Sequence, residues 1–295
     1  RSRGLGDVYK RQTLTKYNCS LINLPILQPE SIWQESGRLE KYVNDDIMFR
    51  CLSDKGNFCL SPTAEEAVVK FAQTRLVSYK NLPTIYFQIG EKFRNEIRTR
   101  GYLLRGKSFE MMDAYSFGRS QEELNEDYEN LKKAYIEIFK KLSLDVQPVG
   151  ADSGTIGGAK SEEFMCISDI GEDSILYDDV TGKMINSELL DRSDAKDYIE
   201  ETYGITDFSN LKVKKACELG HIFQLGEKYS KSMNATFIDE DGKPRFYQMG
   251  CYGIGVSRTL AMIYEHSLVK DKDNNFLSIA LPLSLIHISE PTRPY

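Results

Sequence analysis

The chain of 295 residues has three histidines and one tryptophan, and its six cysteines (Cys19, Cys51, Cys59, Cys166, Cys217, Cys251) show no Cys-x-x-Cys spacing. This spacing offers no zinc cage and no disulfide framework, so reduced thiols in a cytosolic-type, cytoplasmic protein fit best and no metal-ligating set is expected. No apolar run approaches the ~20 residues of a membrane span, so no membrane contact is expected. A Gly-x-x-x-x-Gly-Lys-Ser/Thr string is also missing, which excludes a P-loop. Positive charge is in deficit: the formal net charge is −6. Any contact with nucleic acid must therefore come from a local patch. Hydrophobic residues make up 41% of the chain, enough for one large domain or two.

One such patch exists. Between Lys92 and Lys107 lie six basic residues (Lys92, Arg94, Arg98, Arg100, Arg105, Lys107) against the single internal Glu96. The stretch reads as an antiparallel hairpin. Phe93 to Glu96 closes one strand, a loop carries Arg98, Arg100 and Gly101, and Arg105 to Phe117 runs back. Local positive charge on a strand-loop-strand predicts an anion held on a sheet, although a solvated basic hairpin accounts for the segment taken alone.

Other segments read as scaffold. Leu21 to Leu27 is a strand interrupted by Pro25. Thr63 is placed to cap a helix with Glu65 and Glu66 in its first turn, and Ala67, Val68, Phe71, Ala72, Leu76 and Tyr79 follow at helical spacing. Along the returning strand, Met111, Asp113 and Tyr115 alternate with Met112, Ala114 and Ser116, so the two sets face opposite ways. Ser120 to Glu123 is a capping box before a helix traced by Leu124, Tyr128, Leu131, Tyr135, Ile138 and Leu142. Asp145 to Val149 is a strand, and residues 151–158 form a Gly-rich loop without the context of a dinucleotide fingerprint. A strand over Glu163 to Ile167 and a helix near Asp194 to Tyr203 follow. Leu211 to Leu225 reads as paired strands broken at Gly220, Asp241-Gly242 marks a hairpin turn, and Met249 to Arg258 is a Gly-rich strand entering a helix with Leu260, Ile263 and Tyr264 on one side.

Taken in order, these strings resemble class II aminoacyl-tRNA synthetases. Phe-Arg-x-Glu, a variable loop and Arg-x-x-x-Phe are similar to motif 2, and Gly253 to Arg258 is similar to motif 3. Pro25 lies where motif 1 places its dimer-interface proline, without the long helix that should precede it. The strings QPESIWQESGR, Thr63-x-Glu65 and GHIFQLGEKYS narrow the resemblance to the bacterial type of prolyl-tRNA synthetase. It covers roughly residues 18–282.

The resemblance implies an α+β fold, a class II catalytic domain with an antiparallel β-sheet flanked by helices. It implies activation of L-proline with ATP and Mg²⁺ and transfer to tRNA(Pro), in a homodimer. Arg94 and Arg258 are then the catalytic residues. Proline would meet Thr63, Glu65, Arg94, Asp113, His221 and Cys251. ATP would meet Arg94, Glu96, Arg105, Phe109, Gln224 and Arg258, with Arg105 and Arg258 on its β/γ-phosphates and Mg²⁺ between those phosphates, and the tRNA acceptor end would meet Arg98 and Arg100. The chain departs from the family at Ser108, where Glu is usual, and at Ala64, where His is usual. Another amino-acid specificity on the same fold, or a non-catalytic regulatory or binding paralogue, are the alternative readings. Residues 1–12 and 284–295 resemble sequencing-adapter read-through and are expected to lie outside a catalytic domain spanning 13–283. About 180–210 would be a stub in place of an editing insertion, and the anticodon-binding domain would be absent.

Overall fold

The protein is described by a computed structural model over residues 5–151, 156–191, 193–273 and 275–281. Three long antiparallel strands form the spine of a nine-stranded sheet: Ser108–Gly118, Gln248–Gly255 and Leu211–Gly226. Thr84–Phe93 pairs antiparallel with the outer edge of Ser108–Gly118 and completes the basic hairpin. Beyond Leu211–Gly226 come Lys160–Ile167 and Val146–Gly150. One pairing departs from the expected antiparallel sheet, because Cys19–Leu21 runs parallel to Thr84–Phe93 at the edge. The chain between these two strands is long enough for the crossover that a parallel pair requires.

Side-chain alternation divides this sheet between two cores. Met112, Ala114, Ile222, Tyr252 and Ile254 face the helix Gln121–Lys141, which adds Tyr128, Leu131, Tyr135, Ile138 and Phe139. Tyr115, Phe117, Phe223, Leu225, Met249 and Cys251 face the other way, onto Trp33, Val68, Val69, Ala72 and Tyr247. The odd-numbered positions of Ser108–Gly118 and Gln248–Gly255, and those of Leu211–Gly226 beyond Gly220, share this second face, and it carries the candidate site. The long helix starts as its sequence requires: Ser120 Oγ accepts from Glu123 N at 3.3 Å. The returning bond of the box goes one residue back, Glu123 Oε2 accepting from Arg119 N at 2.6 Å.

Several local expectations are corrected. Leu21 to Leu27 is not one strand; Cys19–Leu21 and Leu27–Pro29 belong to different sheets. Between them Leu24 N leaves the ladder and donates to Gln88 Oε1 at 3.1 Å. Leu211 to Gly226 is a single 16-residue strand, not two. Gly220 marks a register shift, and a Cβ there would stand 2.8 Å from the Gly253 carbonyl oxygen, so glycine permits close strand approach without breaking the strand. Thr63 does not cap the helix Glu65–Arg75; Ala64 occupies the cap position without a side-chain bond. In the helix Val256–His266 the buried residues are Thr259, Met262 and Ile263, whereas Leu260 and Tyr264 are 40% and 43% exposed.

At the amino end a 12-residue helix, Leu5–Lys16, runs across residue 12 and precedes the first edge strand. Its Leu14 is fully buried and Lys16 pairs with Glu137 at 3.0 Å. Residues 284–295 lie outside the described residues, as do 152–155 of the Gly-rich loop. The region of the expected stub is folded: Ile185, Ile199 and Ile205 pack with Leu176 into a small separate core beneath the helix Ala195–Tyr203. Among the described residues no helix is long and apolar enough to cross a membrane, and all six cysteines are free thiols.

The corrected helix face gives a direct test. Met262→Ala removes a fully buried side chain and should cost about 2–5 kcal/mol of stability in a urea titration. Leu260→Ala should stay within about 0.5 kcal/mol.

Candidate active site

The second face of the sheet opens into a cavity of about 910 Å³, counted with the open solvent at its mouth. Strand register builds its floor. Gln88, Asp113, Gly253, His221 and Glu163 stand in one row across five strands, each paired with the next. Tyr86, Tyr115, Cys251 and Phe223 form the adjoining row. Gly253 leaves the middle of the first row without a side chain and so provides depth.

One end of the cavity is a carboxylate site. The Thr63 hydroxyl donates to Glu65 Oε2 at 2.6 Å, and Arg38 Nη1 reaches the same oxygen at 3.2 Å. Burial pushes the Glu65 carboxyl up, but Arg38, Thr63 and the Cys251 thiol outweigh it and leave Glu65 below the ordinary carboxylate range. Burial also drives the thiol of Cys251 well above its usual value, so it is neutral. Asp113 lines the cavity with both oxygens engaged: Lys92 Nζ at 2.7 Å on Oδ1, Gln88 Nε2 and the Tyr115 hydroxyl each at 2.8 Å on Oδ2. Lys92 is 2% exposed, so this is a fully buried ion pair.

The other end is cationic. Arg94 donates from Nε to the Pro62 carbonyl at 3.2 Å, with its guanidinium 5.2 Å from the Phe109 ring centre. Arg105 is held by Glu172 at 2.7 Å and Glu96 at 3.4 Å. Arg258, in the first turn of its helix, donates to the Glu218 carbonyl at 2.7 Å, to Glu218 Oε2 at 3.2 Å and to the Leu104 carbonyl at 3.1 Å. Burial acts to raise the Glu218 carboxyl, yet the hydrogen bond from His221 and the charge of Arg258 bring it down to about 2. At any physiological pH it is ionised.

Of the residues singled out in the sequence, Thr63, Glu65, Arg94, Glu96, Arg105, Phe109, Asp113, His221, Cys251 and Arg258 all line this cavity. Three do not. Gln224 stands on the opposite face and donates to Asn125 Oδ1 of the long helix at 3.1 Å, because three positions along an unbulged strand reverse the side-chain direction. Arg98 and Arg100 lie outside, Arg98 lining a broader cleft beside the cavity and Arg100 pairing with Glu172 at 3.8 Å. Ser108 donates to Glu91 across the hairpin, away from the cavity.

Sequence reasoning missed Glu218, Glu163, Lys92 and Arg38. Glu218 and His221 are also three apart, but the register shift at Gly220 turns both to the same side. With Glu163 on the neighbouring strand they offer ligand atoms within 4.8 Å of one another, a group able to hold a metal ion. Its members come from paired strands, so no spacing along the chain reveals it.

The model of the tRNA synthetase class II core domain (G, H, P, S and T) matches residues 49–267. The chain belongs to this family. It is 40% identical over 278 residues to a proline–tRNA ligase of Ehrlichia ruminantium, covering 90% of this chain and 62% of that protein. It is 38% identical over 273 residues to that of Sulfurimonas denitrificans, covering 87% and 62%. The chain thus spans about three fifths of the length of these curated relatives. Among solved structures, the Giardia lamblia prolyl-tRNA synthetase in complex with prolyl-adenylate superposes with a TM-score of 0.72 at 16% identity, over 95% of this chain and 47% of that one. A Cryptosporidium parvum prolyl-tRNA synthetase complexed with halofuginone and AMPPNP gives 0.63 at 14% identity, over 88% and 44%. At such identity the agreement shows the fold, a class II core.

The buried pair beneath the floor predicts a specific pattern of stability. Lys92→Met leaves Asp113 uncompensated and should cost about 3–5 kcal/mol, the scale of removing one partner from a buried ion pair. Adding Asp113→Asn should recover much of that loss in chemical denaturation, with a coupling energy well above that of independent sites.

Proposed function

We propose that this chain is the catalytic core of a proline–tRNA ligase. The observation that carries the reading is the polarity of the cavity: an ionised Glu65 with its Thr63 donor at one end, Arg105 and Arg258 at the other, and Arg94 between. A secondary ammonium offers two donors, which a carboxylate and a hydroxyl satisfy together. The proline carboxylate would then point at Arg94, whose forked guanidinium suits two oxyanions at once. The names of the relatives and the string GHIFQLGEKYS support the same substrate.

In this reading the proline carboxylate oxygen attacks the α-phosphorus of ATP in line. The new oxygen–phosphorus bond forms as the bond to the β-phosphate breaks, giving prolyl-adenylate and pyrophosphate. The terminal ribose hydroxyl of tRNA(Pro) next attacks the prolyl carbonyl and AMP leaves. No enzyme nucleophile is needed, and the protein's contribution is positioning and charge stabilisation. Arg94 bridges the carboxylate and α-phosphate. Arg105 and Arg258 exchange their carboxylate partners for the outer phosphates, Glu96 and Phe109 take the adenine, and the positive start of the helix Val256–His266 adds to the anion field. Mg²⁺ takes one or two carboxylates together with substrate phosphates, and the ionised Glu218 with Glu163 fits that demand. When bound there, it supplies positive charge to the phosphate chain. Arg98 and Arg100 on the exposed loop meet the acceptor end. The exposed Leu21, Ile26 and Leu27 around Pro25 form the face on which a second copy pairs.

Amino-acid-dependent pyrophosphate exchange run across all twenty amino acids tests this. Proline should support the most efficient exchange, with smaller alanine rejected only weakly, and Arg94→Ala should lower kcat by about 10²-fold or more, the scale of losing one oxyanion donor. Arg94→Lys should rescue poorly, since it lacks the fork. More efficient exchange with a different amino acid would replace the specificity, and exchange surviving intact in Arg94→Ala would remove that residue from the mechanism.

A further inference from the structure

Arg38 is 5% exposed and lies outside the cavity lining. Its guanidinium sits in an aromatic cage, 4.6 Å from the Tyr42 ring centre, 5.1 Å from Trp33 and 5.3 Å from Tyr229, and Nη2 also bonds the Tyr42 hydroxyl. Nη1 is shared by two adjacent carboxylates: Glu65 Oε2 at 3.2 Å and Glu66 Oε1 at 3.0 Å. Glu66 is fully buried and takes its other donor from Ser36 at 2.7 Å. One cation therefore serves two buried carboxyl groups, only one of which faces the cavity.

The same segment reaches the site by a second route. Trp33 Nε1 donates to Gln28 Oε1 at 2.9 Å, Gln28 Nε2 to Ser61 Oγ at 3.2 Å, and Ser61 Oγ to the Thr63 carbonyl at 2.7 Å. Both halves of the Thr63–Glu65 pair are thus tethered to residues 28–38, one through neutral hydrogen bonds and the other through charge. A cage that binds a guanidinium on its faces and edges allows it little freedom to follow a carboxylate elsewhere.

We propose that Arg38 is the positioning residue of the imino-nitrogen subsite: from behind the cavity wall it holds Glu65 charged and aimed at the substrate ammonium, and Glu66 competes for it and so sets how firmly. The inference rests on the proline reading of that subsite. Other charged or titratable groups around Glu65 are Cys251 and Tyr115 on the sheet, Tyr229 and Lys228 beyond it, and Asp113 with its partner Lys92 below. None of these is shared between Glu65 and Glu66 by a direct hydrogen bond as Arg38 is.

Arg38 and Glu66 are not equivalent neighbours of Glu65: burial raises the Glu66 carboxyl while that of Glu65 is lowered, so Glu66 takes a proton first as pH falls. Glu65 must be ionised to receive a cationic ring nitrogen, and kcat/KM for proline falls as pH drops through its pKa in the free enzyme. Arg38→Gln removes the favourable cation, raises that pKa and brings the acid limb up by about one unit or more. Glu66→Gln replaces a carboxyl already protonated where Glu65 titrates and should not move the limb upward. KM for proline in Arg38→Gln should rise about tenfold or more, with KM for ATP nearly unchanged. Exchange kinetics between pH 4.5 and 8, with circular dichroism on each variant, decide the matter. An acid limb unmoved in Arg38→Gln, or equal losses for proline and ATP, would overturn the proposal and leave Arg38 a structural residue. If Arg38→Gln does not fold, Arg38→Lys, which keeps the charge and loses the fork, still has to raise KM for proline without raising that for ATP, and the absence of that split is equally decisive. Lack of proline-dependent exchange in the wild type would instead sink the reading of the substrate, and this inference with it.

Discussion

A charge taken out of water must find an opposite charge or a full set of hydrogen bonds, and the cavity of this protein is arranged around that requirement. Arg105 rests on Glu172 and Glu96, Arg258 on Glu218 and two carbonyls, Arg94 on the Pro62 carbonyl. These are partners that phosphate oxygens can replace. At the cavity wall the logic differs: Lys92 with Asp113, and Arg38 with Glu65 and Glu66, are buried pairs in which only Asp113 and Glu65 face the cavity. The first group is built for exchange and the second for permanence.

The sheet makes both possible at once. Alternation sends even-numbered residues of the spine into the core under the long helix and odd-numbered ones into the cavity and second core. The fold is thereby stabilised on one face by Tyr135, Phe139 and Phe164, with ring centres 5.4 and 5.8 Å apart, while the other face is free to carry charge. The bulge at Gly220 is the exception to the alternation, and it places Glu218 beside His221.

Much of this was legible in the chain. The alternation of Met111, Asp113 and Tyr115 put the three on one face, which lines the cavity, and the glycines before Arg258 located a helix start. Where reading failed, a three-dimensional cause is visible. Gln224 was grouped with His221 by their shared string, but a strand separates positions three apart unless a bulge intervenes. Thr63 looked like a helix cap because its local chemistry permits one; a nearby carboxylate took its hydroxyl instead. Leu260 and Tyr264 share a helical stripe with Ile263, yet docking selects the Thr259, Met262 and Ile263 face. Lys92 was counted only with the basic patch and Arg38 only within the string QPESIWQESGR, while Glu163 was read as a strand residue, because each acquires its meaning from a partner on another strand or helix.

The central claim is that one cavity holds a cationic ring nitrogen at Glu65 and an adenylate at its arginines. The most direct measurement is calorimetric binding of non-hydrolysable aminoacyl-adenylate analogues to the purified chain, comparing prolyl with glycyl, histidyl, seryl and threonyl forms, the specificities this family spans. The account predicts that the prolyl analogue binds tightest by about 10²-fold or more, since losing the match at Thr63 and Glu65 leaves buried polar groups unpaired. Equal or tighter binding of any of the other four would contradict it.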